Sequence, residues 1–261
     1  MANNTPYANF YLSNEIEDQL NSKLNLERFV TVDTSLVGTA GMTRKINVYS
    51  ATTGKCEKLT KGNGNTKTID AGYTPKSYTI ALAQDRFKYY DEDQMEDPLV
   101  VVTGVRQTGT ELVNTMQADI YGEFANATLT LTSQPLNFGT FVDAVALMNF
   151  ENPENEEIFA IVSPADVATI RKQLKDDLKY VEAFSRNGYI GTVAGVNIYT
   201  KKDATQGTVY VATKEAVTLF VKTGTEVEQE RDANTRENTV YARKYYIAAF
   251  TDATRCVKVT I

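Results

Sequence analysis

The chain has 261 residues, a net charge of −6 and 42% hydrophobic residues, a composition typical of a folded globular protein and not of a disordered one. It contains no histidine, which excludes the Ser-His-Asp and Cys-His pairs of common hydrolases and all histidine metal ligands. The acidic excess argues against general binding to nucleic-acid phosphates, because that affinity requires surplus positive charge.

The first 40 residues are polar and rich in asparagine, and they lack the basic and apolar regions of a standard signal peptide. A short amphipathic piece over 13–29 places Ile16, Leu20 and Leu24 on one helix face. Such an arm frays unless it packs on something, so we expect contact with a partner subunit or ordering by crystal contacts alone. No later window reaches the roughly 18 apolar residues of a membrane span. The sequence therefore predicts a protein that is neither secreted by a standard signal nor embedded in a membrane.

Two segments with strand-like alternation, 44–51 and 76–90, flank a polar stretch. Within that stretch the Gly-Asn-Gly-Asn run at 62–65 is a strong turn signal. The sequence therefore predicts a long hairpin over 41–90 that has too few apolar residues to be stable alone.

This predicted hairpin is basic, whereas the rest of the chain is acidic. Residues 41–90 contain nine lysines or arginines and three acidic residues, a charge of +6 that leaves −12 for the remaining residues. We expect the hairpin to meet an acidic surface, and a solvated lysine-rich loop is the equally good alternative on charge alone.

An acidic run follows the hairpin and precedes a long helix. Every fourth residue from 112 to 124 is apolar, which is the spacing of one helix face. This pattern predicts a helix over about 98–127, with a length of roughly 45 Å. Asp97 is placed to cap the helix, and Pro98 suits its first position.

The acids of this run are expected to form a solvated collar at the helix N-terminus, where the helix dipole favours negative charge. A Ca²⁺ or Mg²⁺ site is the alternative, although the order of acids and glycine found in EF-hands is missing. The residues of the acidic collar are Asp91, Glu92, Asp93, Glu96 and Asp97.

Three further elements are predicted between 138 and 178. The next helix is expected to bury Phe138, Phe141, Val142, Val145 and Met148. Residues 157–163 have the composition of a buried strand. The helix after it opens with Ser163 as N-cap, Pro164 at the first helical position and Asp166 bonding back to the cap.

Gly188, Gly191 and Gly195 have neither the dinucleotide-binding nor the P-loop spacing, and a strand follows them instead of a helix. We therefore expect a turn and a tight hairpin, not a phosphate site.

The last segment, 239–261, is predicted to form two strands that meet at 251–253. Helices and strands occupy separate stretches, which predicts the α+β class.

Two smaller features leave alternatives open. Glu226, Glu228, Glu230 and Asp232 alternate along one strand; an exposed, charge-protected face is favoured over the paired carboxylates of a histidine-free glycosidase. Cys56 and Cys256 follow no metal-binding pattern, which indicates a reducing compartment without a disulfide framework. A single bridge between the two cysteines stays open.

Taken in order, these segments resemble the major capsid proteins of tailed bacteriophages, which have the Hong Kong 97 capsid fold. A polar arm is followed by a two-stranded loop ending near KYYDEDQMEDP and by a long helix through ELVNTMQADIYGEFANA. FGTFVDAVALMNF, IFAIVSPADVATIRKQL and GYIGTVAGVNIYTKKD then resemble a compact axial domain. The part from VYVATKEAV onward is similar to the family's return to the peripheral domain.

The resemblance implies a chain of four parts: an N-terminal arm (1–40), an extended hairpin loop (41–93), a peripheral domain with a spine helix (94–135 and 235–261) and an axial domain (136–234). It implies a structural protein and not an enzyme, without cofactor, metal or membrane. Copies would assemble as pentamers and hexamers into the icosahedral shell of a virion, inside the bacterial cytoplasm. The shell would enclose double-stranded DNA without sequence-specific binding.

In this family the extended loop lies across a neighbouring subunit. The resemblance therefore implies inter-subunit contacts for Arg44, Lys45, Lys55, Lys58, Lys61, Lys67 and Lys76. About forty residues before the loop are too few for the scaffolding segment of some relatives, so a separate scaffolding protein is expected, with portal and decoration proteins as further partners. Lysines near the loop tip are candidates by position alone for the lysine–asparagine cross-link of some relatives. The competing hypothesis is a surface or adhesion binding module of small oligomeric state, which assembly state distinguishes.

Overall fold

The computed structural model describes residues 26–51, 56–66, 68, 71–132, 136–151, 153–174 and 191–261. The N-terminal strands in this part of the chain are β1 (Thr31–Asp33), β2 (Thr43–Ala51), β3 (Ala71–Thr79), β4 (Ala81–Tyr90) and β5 (Leu129–Thr132). The remaining strands are β6 (Ile158–Val162), β7 (Thr192–Val193), β8 (Val196–Thr200), β9 (Thr208–Thr213), β10 (Val217–Asp232), β11 (Glu237–Phe250) and β12 (Cys256–Thr260). The helices are α1 (Asp91–Glu96), α2 (Leu99–Phe124), α3 (Phe138–Met148) and α4 (Pro164–Gln173), and short 3-10 turns cover Glu27–Phe29, Pro153–Asn155 and Ala253–Arg255.

These strands form three sheets. A four-stranded sheet has the order β1-β10-β11-β4, a six-stranded sheet has the order β5-β12-β9-β6-β8-β7, and β2 pairs with β3 alone. Neighbouring strands are antiparallel except in the pairs β1–β10, β5–β12 and β6–β8. The helices pack on the sheets and do not alternate regularly with parallel strands, so the predicted α+β class is confirmed.

Helix α2 packs on the four-stranded sheet with the face that the four-residue spacing predicts. The buried residues of that face include Leu112, Met116, Ile120 and Phe124. Gly104 allows the close approach to β4, because a Cβ atom at this position would lie 2.3 Å from the ring of Phe87. The glycine that lowers helix propensity is therefore required by the packing of the helix against the sheet.

The long helix is slightly shorter than predicted at both ends, and the acidic run before it forms helix α1 of its own. Helix α2 covers Leu99–Phe124 instead of 98–127. Asp97 separates the two helices with an extended backbone, and its carboxylate accepts a hydrogen bond from the N–H of Leu99 at 2.9 Å. Among the described residues, none of the helices combines the length and the apolar character needed to cross a bilayer.

The segment predicted as one strand, 76–90, is two strands in different sheets. Strand β3 ends at Thr79 and pairs with β2, whereas β4 begins at Ala81 and pairs with β11. Ile80 lies buried between them, and its N–H donates to the carbonyl of Met42 at 2.7 Å. This bond closes the base of the β2–β3 hairpin, so the strand pairing of the loop ends at 79, short of the predicted limit at 93.

The six-stranded sheet is covered on both faces. Along β9, Val209 and Val211 pack with the core under α3 and α4, while Tyr210 and Ala212 pack with the core under α2. Successive side chains of a strand point to opposite faces, so these residues belong to two separate layers. A continuous run of apolar residues in this strand is the expected result.

Helix α3 forms where the sequence predicts a helix, but part of its predicted buried face is exposed. Phe141 and Met148 are buried as expected, together with Ala144. Phe138 is 52% exposed and Val142 is 43% exposed, because the helix contacts the sheet along a line rotated away from these two residues. Periodicity alone does not distinguish the two apolar faces of such a helix.

The cap of α4 and the β7–β8 turn are confirmed, whereas Pro98 is the N-cap of α2 and not its first helical residue. The Ser163 hydroxyl accepts a hydrogen bond from the N–H of Asp166 at 3.1 Å, and Pro164 is the first helical residue of α4. Ala194 and Gly195 have positive φ angles at the β7–β8 turn, which is the predicted tight hairpin. Gly188 and the end of the helix predicted to reach 178 lie outside the described residues.

The sheets divide the chain at points that differ from the predicted domain limits. Strand β10 lies in the stretch predicted as axial, 136–234, but it pairs in the four-stranded sheet beside α2. Strand β12 lies in the stretch predicted as peripheral, 235–261, but it joins the six-stranded sheet. The strands predicted to meet at 251–253 do meet there, and they continue into different sheets.

Both cysteines are free thiols, so the disulfide that the sequence leaves open is not formed. Cys56 is exposed in the loop, whereas Cys256 is buried at the start of β12. Burial raises the pKa of the Cys256 thiol to about 12, which keeps this group protonated at neutral pH.

Candidate functional site

Among the residues of the β2–β3 hairpin whose burial the structure describes, none is buried in a hydrophobic core. Each residue of β3 from 72 to 77 is exposed, and on β2 Thr43, Lys45 and Asn47 are exposed while Arg44 and Ile46 are half-buried. Nine residues in each strand give the hairpin a reach of roughly 30 Å. An isolated two-stranded sheet is only marginally stable in water, so the described part of this hairpin gains little stability from its own chain beyond its base.

The base of the hairpin is anchored to the four-stranded sheet. The Tyr78 hydroxyl donates to the carbonyl of Phe250 at 3.1 Å, and the Tyr78 ring stacks on Phe220 with 5.9 Å between centroids. Lys222 donates to the carbonyl of Gly41 at 2.8 Å. Burial, with a smaller contribution from the carboxylate of Glu123, raises the pKa of Tyr78. These contacts fix where the hairpin leaves the body of the molecule.

One ion pair links the first strand of the hairpin to β1. The guanidinium of Arg44 lies 3.9 Å from the carboxylate of Asp33. Burial would raise the pKa of Asp33, but hydrogen bonds from Ser35 and the charge of Arg44 lower it below its ordinary value. Arg44 therefore already forms an ion pair within its own chain.

The lysines of the hairpin that the structure describes are exposed to solvent. Those that the structure describes form no ion pair with another described residue, and they are Lys45, Lys58, Lys61 and Lys76. Lys55 and Lys67, which the sequence analysis also assigns to the inter-subunit loop, lie outside the described residues. Exposed lysines therefore lie on both strands and near the turn at Gly62, which has a φ of +95°, and their contact with a neighbouring subunit stays a prediction.

The acidic collar is less solvated than predicted, because two of its acids bind the tip of the β10–β11 hairpin. The carboxylate of Asp91 accepts hydrogen bonds from Arg231 at 2.7 Å and from Asn238 at 2.6 Å. The bonds from Arg231 and then Asn238 lower the pKa of Asp91 below its ordinary value. Glu92 forms a 2.8 Å ion pair with Arg236.

The other collar acids cap backbone groups or face solvent. The carboxylate of Asp93 accepts the N–H of Tyr90 at 3.0 Å, Asp97 caps Leu99 as described above, and Glu96 is exposed. Within the part of the chain that the structure covers, no group of three or more acids or cysteines is arranged to hold a metal ion. The collar therefore acts as a structural clamp between α1 and the β10–β11 hairpin.

The acidic row on β10 lies on an exposed strand face, as predicted. Arg243 on the neighbouring strand pairs with Glu226 at 2.9 Å and with Glu228 at 2.7 Å. Glu230 and Asp232 are exposed near the hairpin tip. A glycosidase needs two free carboxylates on either side of a bound sugar, and the Arg243 pairing uses two of these four acids.

Sequence reasoning missed the residues that hold these surfaces in place. Arg231 and Arg236 lie about 140 residues from their acidic partners, and Lys222 binds carbonyls of residues about 180 positions earlier. The opposite charges of the acidic run and of the β10–β11 tip are visible in the sequence, but many other pairs of segments have opposite charges as well. The position of Tyr78 in an otherwise polar arm was the strongest available local signal for an anchor.

Comparisons with known proteins agree with this architecture. The sequence profile of the family described as phage capsid protein matches residues 73–259. The major capsid protein of Staphylococcus phage phiMR11 is 26% identical to this chain, and the alignment covers 94% of this chain and 90% of the relative.

Solved structures show the same fold at low sequence identity. A chain from Mycobacterium phage Che8 has a TM-score of 0.69 at 18% identity and covers 87% of this chain and 88% of its own length. The capsid of a native GTA particle has a TM-score of 0.72 at 12% identity, with 92% and 90% covered. The predicted Hong Kong 97 type of fold is thereby confirmed. Because the family profile extends over most of the sequence, this chain belongs to the phage capsid protein family.

Proposed function

We propose that this chain is the major capsid protein of a tailed double-stranded DNA bacteriophage, and that it assembles as pentamers and hexamers into an icosahedral head. The observation that carries this proposal is the β2–β3 hairpin, whose described residues are mostly exposed and which is bonded to the body of the molecule at its base. Since such a sheet has too little buried apolar surface to be stable alone, it needs the surface of another molecule. A capsid shell places such a surface beside every copy.

Charge supports contact between the hairpin and a neighbouring copy. The exposed lysines of the hairpin face an otherwise acidic chain, so two copies attract each other when hairpin and body meet. The residues proposed for this contact are Arg44, Lys45, Lys55, Lys58, Lys61, Lys67 and Lys76. In the same proposal, α2 with the four-stranded sheet is the peripheral domain, and the six-stranded sheet with α3 and α4 is the axial domain.

Further parts of the proposal concern partners and place. A separate scaffolding protein would direct the curvature of the shell, while a portal and decoration proteins would complete the head. Assembly would take place in the bacterial cytoplasm, and the finished shell would enclose DNA without reading its sequence, because the chain carries a net negative charge. The role is structural and requires neither a catalytic site nor a cofactor.

Sedimentation tests the proposal most directly. The full chain is expressed with and without a candidate scaffolding protein, and the same fractions are imaged by negative stain. We expect shells, or discrete pentamers and hexamers. A chain that stays monomeric in every condition, including crowding, would contradict the proposal and favour the binding-module hypothesis.

A further inference from the structure

Helix α3 turns a nearly uncharged face to solvent. The exposed residues of this face are Phe138, Gly139, Val142, Asp143, Ala146 and Leu147. Asp143 is the one charged side chain among them. Large contiguous apolar patches on folded proteins usually mark a surface that another molecule covers, and this patch lies on a chain that is otherwise rich in charge.

A cavity with complementary character lies on the other side of the six-stranded sheet. It has a volume of about 450 Å³ and lies between the 3-10 turn at Glu27–Phe29, helix α2 and the end of β8. Its apolar lining includes Leu26, Phe29, Ile161 and Tyr199, and its basic rim consists of Arg28, Lys201 and Lys202.

The rim retains free positive charge. Lys201 is already engaged, since its ammonium lies 5.2 Å from the centre of the Tyr121 ring and 3.8 Å from the carboxylate of Asp203. Arg28 and Lys202 are exposed and form no ion pair with another residue that the structure describes. The Arg28 guanidinium lies 5.7 Å from the centre of the Phe29 ring, a contact that leaves its charge without a carboxylate partner among the described residues. One carboxylate on α3 would therefore meet two cations without an ion pair at the rim of the cavity.

Strand β6 shows that the two surfaces lie on opposite faces of the sheet. Ile158, Ala160 and Val162 pack in the core under α3, whereas Phe159 and Ile161 pack on the side of the cavity. A single copy cannot bring the two surfaces together. A contact between two copies would join different patches, which is the head-to-tail type of interface that closes into rings.

We propose that helix α3 of one copy docks on this cavity of the next copy, with Phe138 and Val142 against the apolar lining and Asp143 between Arg28 and Lys202. The inference rests on the proposed function, because it supplies a contact that joins copies around a capsomer. The molecule that fills the cavity is therefore a second copy of the same chain, because Asp143 on α3 complements the positive charge of the cavity rim.

Cysteine cross-linking in the assembled full-length protein tests the contact. Cys56→Ser removes the exposed native thiol, and Val142→Cys with Lys202→Cys places one thiol on each surface. After mild oxidation, we expect chains carrying both cysteines to form a ladder beyond dimers on a non-reducing gel. Each single variant should stay monomeric, and an equal mixture of the two single variants should stop at dimers.

A matched control uses the neighbouring helix. Lys172 is exposed on α4, which covers the same face of the sheet as α3, so Lys172→Cys with Lys202→Cys should give no ladder. Charge exchange gives a second measurement: Asp143→Lys and Lys202→Asp should each reduce the assembled fraction about tenfold, and the double variant should restore most of it.

The outcomes separate this inference from the proposed function. Shells or capsomers that form normally while the double-cysteine chain stays monomeric would overturn the inference and leave the proposed function intact. Self-dimers of the Val142→Cys single variant would also overturn it, because they would show that α3 meets α3. Failure of the parent chain to assemble at all would overturn the proposed function, and this inference with it.

Discussion

The chain contains two long antiparallel hairpins whose surroundings are opposite. In β10–β11, alternate residues of the second strand, among them Val240, Ala242 and Tyr246, are buried under helix α2. The Tyr246 hydroxyl donates to Asp119 on that helix at 2.8 Å, and burial together with this carboxylate raises the pKa of Tyr246. In β2–β3, the described residues are exposed or half-buried, and Tyr78 at the base stacks on Phe220.

The charged residues of the two hairpins also differ in whether they form ion pairs. Arg231 and Arg236 at the tip of β10–β11 are paired with acids of α1. Lysines of β2–β3 such as Lys45 and Lys76 have no ion-pair partner among the described residues. Backbone pairing alone therefore does not decide where a hairpin is stable. A hairpin is stable where one of its faces is buried, either against its own chain or against a neighbouring molecule.

The largest expected effect comes from removing the exposed hairpin. Replacing 46–76 with Asn-Gly joins Lys45 to Ser77, which are register partners in β2 and β3, through a turn suited to hairpins. We expect assembly to be lost while the thermal midpoint of the monomer changes by no more than about 3 °C, because none of the described residues in this stretch is buried. Sedimentation and calorimetry measure the two quantities, and a shortened chain that still builds shells would contradict the role of the hairpin.

Truncating one aromatic residue in each region sharpens the contrast in stability. Phe124 on α2, the helix that covers β11, is fully buried against the rings of Phe159 and Tyr210, so Phe124→Ala should lower the free energy of unfolding by about 3–5 kcal/mol. Tyr73 on β3 is 64% exposed, so Tyr73→Ala should change it by less than about 0.5 kcal/mol. Urea unfolding of the monomer measures both values, and equal losses would show that the hairpin has a core after all.

Two glycines of α2 test how closely the helix lies on the sheet. Gly104→Ala should lower the free energy of unfolding by about 1–2 kcal/mol, because the added methyl group displaces the Phe87 ring by more than helix propensity compensates. Gly122 has open space around its Cβ position, so Gly122→Ala should raise the same free energy by about 0.5–1 kcal/mol. Destabilisation of similar size in both variants would argue against the close contact at Gly104.

The clamp at the tip of β10–β11 should respond to acid. The pKa of Asp91 is lowered in the folded state, so its contribution to stability is fully present above the unfolded value of 3.8 and is lost as the pH falls through the lower folded value. Because Arg231 is half exposed, we expect no more than about 1 kcal/mol. Urea unfolding between pH 3 and pH 7 should show this loss in the parent and not in Asp91→Asn, and identical pH profiles would exclude the clamp.

The smallest effect concerns the two thiols and leaves stability unchanged. Cys56 in the exposed loop should react with a thiol reagent in the native monomer, whereas Cys256 should not, because it is buried and its pKa is raised to about 12. A colorimetric titration should give one reactive thiol per native chain and two in denaturant. Cys56→Ser should give none in the native state.

The sequence alone determined the features that depend on neighbours along the chain. The four-residue spacing from Leu112 to Phe124 identified the buried face of α2, and the Ser163 cap identified the start of α4. Composition separated a basic hairpin from an acidic body, and the order of segments indicated the capsid family. The acidic collar could also be predicted as a group, because its members are adjacent in sequence.

Only the tertiary structure decided which distant segments meet. The break at Ile80 depends on a hydrogen bond to Met42 and on a core that no local pattern encodes. The same holds for the exposed position of Phe138, and for the partners of Asp91 and Glu92 on a hairpin 140 residues away. Local spacing fixes which face of an element is apolar, whereas the partner of that face is chosen by packing and charge across the whole chain. Hydrophobic burial is not directional, so many partners satisfy the same pattern until the fold selects one.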